Sequence, residues 1–174
     1  MVKIKTPVSY YGGKQTLLRH ISPLVPKHKT YTEAYAGGAA LFFEKPPAEV
    51  EVINDINCNL INFYQVLQTR FPELKAEIDK TLHSRDMHLK ARIIYDHPTL
   101  FDPIERAWAL WVCSKEGFAA KLDGSWGYDK AKNTTAKKIQ NAKDAFTIML
   151  QQRIEHTQIE STDGLRIIKS RDSE

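Results

Sequence analysis

Two glycine pairs and one aspartate are the residues of this chain whose type and spacing could do chemistry. Near the N-terminus, "YYGGKQTL", Tyr10 to Leu17, sets a glycine pair directly before a lysine. Bare backbone of this kind lets a ligand approach the main chain, and a following lysine supplies charge. The spacing excludes a Walker-type phosphate loop. Such a loop needs a glycine where this chain has Val8 and a hydroxyl residue where it has Gln15. What remains is the entry to a helix, with Leu17, Leu18, Ile21 and Leu24 as an apolar stripe closed by Pro23 and Pro26.

The second constellation is "EAYAGGAALFF" followed by "VINDIN". A glycine turn after one strand lets a cofactor lie against the backbone, and an acid ending the next strand accepts both hydroxyl protons of a ribose. Gly37 and Asp55 are 18 residues apart, close to the roughly 20 that such a nucleoside-binding unit requires. Two cofactor classes use this arrangement, dinucleotides and S-adenosylmethionine. The dinucleotide fingerprint Gly-x-Gly-x-x-Gly is matched nowhere in residues 35–43, whereas S-adenosylmethionine has no pyrophosphate and tolerates a looser turn. Plainer roles stay open as well: Asp55 as a cap on the following helix, in competition with Asn57, and Gly37-Gly38 as a tight turn.

The elements that must position these residues alternate in the N-terminal third. "YTEAY" and "VEVIN" read as strands, with "AGGAA" and "LFFE" between them. A helix then runs through Leu60, Ile61, Phe63, Tyr64 and Leu67, so the order predicts a βαβ unit with ligands at the carboxyl ends of its parallel strands. Residues 71–154 show almost no β pattern. They carry helical periodicity instead, including Ile104 to Cys113 and one face made by Ile139, Ala142, Phe146, Met149 and Leu150. "HTQIES" and "LRIIKS" read as two short strands resuming the sheet, with Asp163-Gly164 as the turn between them. This divides the chain into a core of residues 1–70 and 155–174 and a helical insertion of residues 71–154.

With 174 residues, 42% hydrophobic and 26% charged, the chain suits one ordinary globular core. No apolar run approaches the roughly 18 to 20 residues that span a bilayer, and the first residues lack the apolar core of a signal peptide, so a cytoplasmic protein with no membrane partner is expected. Cys58 and Cys113 lie in apolar helical stretches without metal-ligand spacing; buried thiols are expected, and no metal. The net charge of +4 is concentrated. Residues 115–143 hold seven lysines against three acids, within and around "EGFAAKLDGSWGYDKAKN", which reads as a loop or hairpin between helices. Lysines interleaved with Phe118, Trp126 and Tyr128 suit a polyanion, since charge neutralises phosphates while rings stack on or wedge beside bases. An ordinary solvated loop fits the same composition.

Taken in order, "YYGGKQTL", "YTEAYAGGAALFF" and "VINDINCNLINFYQVL" resemble the N-terminal half of the Dam-type DNA adenine-N6 methyltransferases over residues 7 to about 68. The resemblance implies a Rossmann-like S-adenosylmethionine-dependent methyltransferase sheet of α/β class, partial here, with an inserted helical target-recognition subdomain. It implies that Tyr10, Gly12, Gly13 and Lys14 line the cofactor site. Tyr35, Ala36 and Gly37 floor that site, Asp55 with Ile56 holds the ribose side, and Asp163 is a candidate for the adenine ring. Ala34 and Ala39 depart from the family's proline and third glycine, which bears on turn geometry. The insertion would meet double-stranded DNA through Lys115, Lys121, Trp126, Lys130, Lys132, Lys137 and Lys138.

The family's reaction moves a methyl group from a sulfonium to the exocyclic amine of adenine, gripping that amine with Asp-Pro-Pro-Tyr. This chain has no such tetrapeptide: Pro46-Pro47 follows Lys45, and Asp102-Pro103 precedes Ile104. A chain that stops roughly ten residues short of the motif is the expectation, from usual strand and loop lengths. No catalytic residue is assigned, and the chain alone is expected to be inactive. The oligomeric state is not legible in the sequence.

Overall fold

A computed structural model describes residues 4–131 and 133–172. Three parallel strands form its sheet: β1 (Thr30–Glu33), β2 (Val50–Asn54) and β3 (Gln158–Glu160), in the order β1-β2-β3. Thr30 is in register with Val50, and Val52 with Gln158. The central strand is covered on both faces, as a parallel strand must be, with Val52, Ile53 and Asn54 fully buried. The class is mixed α/β, compatible with a methyltransferase sheet.

Before β1, the predicted first helix is broken into α1 (Leu18–Ile21) between two 3-10 turns, Lys14–Leu17 and Ser22–Leu24. Its apolar stripe is only partly used. Leu18 is buried, while Leu17 and Leu24 are exposed, because Pro23 at the start of the last turn ends the regular helix. Between β1 and β2 runs α2 (Ala40–Glu44), every residue of which but the last is buried. After β2 comes α3 (Cys58–Thr69), capped by the Asn57 side chain, which accepts from the Asn59 and Leu60 amides. Asn57 therefore holds the cap that the sequence left contested with Asp55. Cys113 is buried as expected; Cys58 is not, since the first turn of α3 turns it outward toward Ser161 Oγ, 3.7 Å away.

The predicted helical stretch carries α4 (Phe71–Lys80), α5 (Arg85–Asp96), α6 (Pro103–Glu116), α7 (Thr134–Asp144) and α8 (Ile148–Ile154), with a largely non-helical segment between α6 and α7 where the sequence predicts a loop or hairpin. Asp102 starts α6 with a capping box, its carboxylate taking the Ile104 and Glu105 amides while Glu105 reaches back to the Asp102 amide. The periodic face from Ile139 to Leu150 belongs to two helices. A turn at Ala145–Thr147 interrupts it so that Phe146 can stack flat on Phe71, with centroids 5.5 Å apart. One hydrophobic core runs from Val8 through α3 and α6 to Ile154.

Beyond β3 the expected fourth strand is a helix, α9 (Gly164–Arg171). The β-branched pair Ile167-Ile168 misleads. Only Ile167 is buried, Ile168 stays 45% exposed, and Asp163 accepts from the Leu165 and Arg166 amides as an N-cap rather than closing a hairpin. Asn54 then gathers the three strand ends. Its amide nitrogen donates to Ala34 O and Thr162 O, and its oxygen accepts from the Thr162 amide. Such a fully satisfied buried amide fixes the loops that carry Tyr35, Asp55 and Asp163.

Candidate functional site

The turn after β1 is built around three backbone constraints. Ala36 N continues the ladder to Asn54 O at 2.9 Å. Gly37 then takes φ +50°, which glycine adopts without steric cost. Ala39 does the same at φ 50° with a side chain present, a strained conformation held by its own amide on Ala36 O. This is where the family's third glycine is replaced, and the turn keeps its left-handed shape.

Both polar groups of Gly37 are engaged. Its amide donates to Asp55 Oδ2 at 2.9 Å, and its carbonyl accepts from the Tyr64 hydroxyl at 2.7 Å, from deep inside α3. Asp55 uses its other oxygen, Oδ1, to accept from the Asn57 amide at 3.0 Å. Each carboxylate oxygen thus keeps a lone pair for a further donor. Burial raises the pKa of Tyr64 well above that of a free phenol, so its hydroxyl is a fixed donor at any physiological pH.

The glycine-lysine segment packs onto this turn. A Cβ on Gly37 would meet the Tyr10 ring at 3.4 Å, and one on Gly38 would meet Val8 O at 3.1 Å. Gly12 takes φ +71°, and the Gly13 amide returns to Tyr10 O. Lys14 bends over the turn so that its Nζ donates to Tyr35 O at 3.0 Å. The exposed Tyr35 ring lies across Gly164, where a Cβ would sit 2.3 Å from Tyr35 Cζ. Ile56 beside Asp55 is 76% exposed. Thus Tyr10, Gly12, Gly13, Lys14, Tyr35, Ala36, Gly37, Asp55 and Ile56 are parts of one structure at the strand ends. Asp163 adjoins them through Gly164 and spends its carboxylate on the α9 cap.

Reasoning from sequence missed three contributors. Tyr64 and Asn54 are hidden in ordinary apolar runs. Glu33 is the third: it ends β1, is 5% exposed, and has Oε2 buried with no partner, so burial raises its pKa despite the nearby Lys14 charge. Only their position on elements flanking the glycine turn pointed to them.

The basic segment between α6 and α7 folds back on itself through a bridge between Gly117 and Trp126. Ala119 and Ala120 both have positive φ, and Phe118 beside them is 68% exposed. Lys121 Nζ stands 5.1 Å from the centroid of the Tyr11 ring, so this hairpin touches the glycine-lysine segment directly. Between them lies a cleft of about 470 Å³ lined by Tyr10, Tyr11, Tyr95, Lys121, Leu122 and Asp123.

Trp126 is internally engaged. It stacks on His83 at 4.9 Å and Tyr128 at 5.5 Å, with the Arg85 guanidinium 4.8 Å from its centroid. Lys115 stands apart, donating to Ser9 Oγ. Lys121, Lys130, Lys137 and Lys138 are exposed, and Lys132 falls outside the described residues. Asp129 anchors the start of α7: the Thr135 amide, with the Thr134 hydroxyl and amide, donates to its carboxylate and brings its pKa down to about 2. Among the described residues no cluster of His, Cys, Asp and Glu could hold a metal, and no helix is long and apolar enough to cross a membrane.

A parallel βαβ unit with a glycine turn bonded to a second-strand carboxylate, bordered by a basic hairpin, is an α/β arrangement compatible with a methyltransferase fold. The chain belongs to the D12 class N6 adenine-specific DNA methyltransferases, whose family profile matches residues 10–162. It is 40% identical over 86 residues to the type II methyltransferase M1.LlaDCHI of Lactococcus lactis subsp. cremoris, covering 49% of this chain and 29% of that protein. It is 36% identical over 81 residues to the modification methylase StsI of Streptococcus sanguinis, 45% of this chain and 12% of that one. The DNA N-6-adenine-methyltransferase of Escherichia phage P1 is 40% identical over 110 residues, 62% of this chain and 14% of the relative. The match thus spans less than a third of each of these relatives.

Proposed function

We propose that this chain binds S-adenosylmethionine at the β1 turn and double-stranded DNA at the hairpin, as the cofactor and target-recognition part of an adenine-N6 methyltransferase. The observation that carries the reading is the Gly37 to Asp55 hydrogen bond. It supports a ribose site, because the bond aims a carboxylate with free lone pairs at a bend stripped of side chains. The orphaned Glu33 oxygen, buried at the end of β1, suits the cationic end of the same molecule. When bound, the cofactor would supply an electrophilic methyl group on sulfur. Asp55 would take the two ribose hydroxyls, Tyr10 and Tyr35 would flank the nucleoside, and Lys14 would fix the turn through Tyr35 O. Phe118, Lys121, Lys130 and Lys137 would meet the DNA, with Trp126 holding the hairpin in shape rather than reading a base.

The chain contains no Asp-Pro-Pro-Tyr, the tetrapeptide that grips the target amine in the family it resembles, and methyl transfer by these residues alone is not expected. The same fact favours a second reading, a DNA-binding module whose cofactor fold is vestigial, in which Asp55 only ties Gly37 and Asn57 together. Isothermal titration separates the two. Binding of S-adenosylmethionine and its demethylated product but not NAD, lost in Asp55→Ala, supports the first; a folded protein that binds DNA and none of the three supports the second.

A further inference from the structure

A cavity of about 290 Å³ lies where the N-terminal segment, the last turn of α6 and α7 meet. Three amines line it, those of Lys5, Lys115 and Lys138, and among the described residues no aspartate or glutamate does. Lys5 and Lys138 are exposed, whereas Lys115 is half-buried. Neither Lys115 nor Lys138 is among the residues proposed above for the cofactor or the DNA.

The Lys115 ammonium donates to Ser9 Oγ at 3.2 Å. Among the described residues no ion pair reaches it. Elsewhere the fold pairs its buried cations, with Lys45 and Arg153 sharing the Glu51 carboxylate. Lys115 instead shares its cavity with two further lysines, and a buried cation without a counter-charge is costly. Burial brings its pKa down to about 8, so roughly half of the amine is unprotonated at pH 8, against under about 1% for a lysine at its ordinary value. The side chain therefore offers a nucleophilic lone pair near neutral pH.

We infer that the Lys115 amine takes up carbon dioxide and becomes a carbamate held by Lys5, Lys138 and Ser9. The nitrogen lone pair forms a bond to the carbon, one carbon–oxygen π pair moves onto oxygen, and the N–H proton passes to solvent. A cation is thereby replaced by an anion. Two neighbouring lysines that offered the ammonium no compensation then attract the new carboxylate, and no acid in the lining opposes it. Ser9 reverses its part: its hydroxyl oxygen accepts from the ammonium, and its own proton can turn to a carbamate oxygen. The rest of the wall suits a small uncharged reagent, since Pro7, Ile139, Phe146 and Leu150 are all buried apolar residues.

The test holds the protein in carbon-13 bicarbonate at pH 8 and reads carbamate by NMR. One resonance is expected to vanish in Lys115→Met and to persist in Lys27→Met, an exposed-lysine control; the carbamate of the chain's α-amino group remains in both. Trapping with a trialkyloxonium salt, followed by peptide mass spectrometry, uses the wild type alone and so decides the matter even if Lys115→Met does not fold. Lys115 is expected to carry at least about tenfold more trapped carbamate than any exposed lysine, following the unprotonated fractions. Lys138→Ala is expected to lower its occupancy about threefold. The inference is overturned by trapped wild type in which Lys115 carries no more label than exposed lysines, by a folded Lys115→Met that loses no resonance, or by occupancy that does not fall in Lys138→Ala.

Discussion

The Gly37 amide and the Asp55 carboxylate are joined at 2.9 Å across the ends of β1 and β2. This bond fixes the distance between the bare turn and the acid. Its stability is shared with Tyr64, whose hydroxyl holds the Gly37 carbonyl from the opposite side. Tyr64→Phe should therefore destabilise the protein by about 1 kcal/mol, and Asp55→Asn by about 1–2 kcal/mol, since an amide replaces one acceptor with a donor. Urea denaturation measures both. Because the two residues restrain one glycine, the double variant should lose less than the two single losses added together.

Glu116 predicts a pH dependence. It ends α6 fully buried, with neither carboxyl oxygen hydrogen-bonded. Burial pushes its pKa up to about 7, and the Trp126 indole and Ser84 amide, nearby but outside hydrogen-bond geometry, offset only part of that. A raised carboxyl favours the folded state while protonated. Its contribution is complete below the unfolded value near 4.5 and is lost as pH rises to about 7. Glu116→Gln should flatten stability across that window and gain up to about 2–3 kcal/mol above it. Thermal unfolding from pH 4 to pH 8 checks the slope.

Gly164→Ala probes the Tyr35 wall. The new methyl would meet the far end of the Tyr35 ring, which is exposed and able to swing away. Stability should change by less than about 1 kcal/mol, while affinity for S-adenosylhomocysteine should fall several-fold because the ring no longer lies where the nucleoside needs it. An unchanged affinity would remove Tyr35 from the site.

Much of this was legible in the sequence because local chemistry dictated it. Glycine where φ is positive, an acid ending a strand and a lysine before a helix each have few physical alternatives, and the βαβ order followed from them. Other features depend on tertiary partners. Ile167-Ile168 has strand-like composition, yet one capping aspartate and one buried face made it helical. The stripe from Ile139 to Leu150 looks continuous, yet Phe71 in another helix draws Phe146 into a break. Cys58 has a helical position but no neighbour that covers it. Tyr64, Asn54 and Glu33 could not be singled out, because their roles exist only once separate elements meet.

The hairpin lysines predict a salt signature. If Lys121, Lys130 and Lys137 each neutralise one DNA phosphate, replacing all three with glutamine should reduce the slope of log K against log salt by about 2.7, near 0.9 for each contact. The fold should be unaffected, since all three are exposed. An unaltered slope would move the DNA surface elsewhere.

The most direct measurement is a crystal structure of this chain with S-adenosylhomocysteine. Both ribose hydroxyls are expected within hydrogen-bond distance of Asp55, the nucleoside against Tyr10 and Tyr35, and Gly37 still bonded to the same carboxylate. A ligand bound away from the β1 turn, or an Asp55 carboxylate that contacts only Gly37 and Asn57 in the complex, would contradict it.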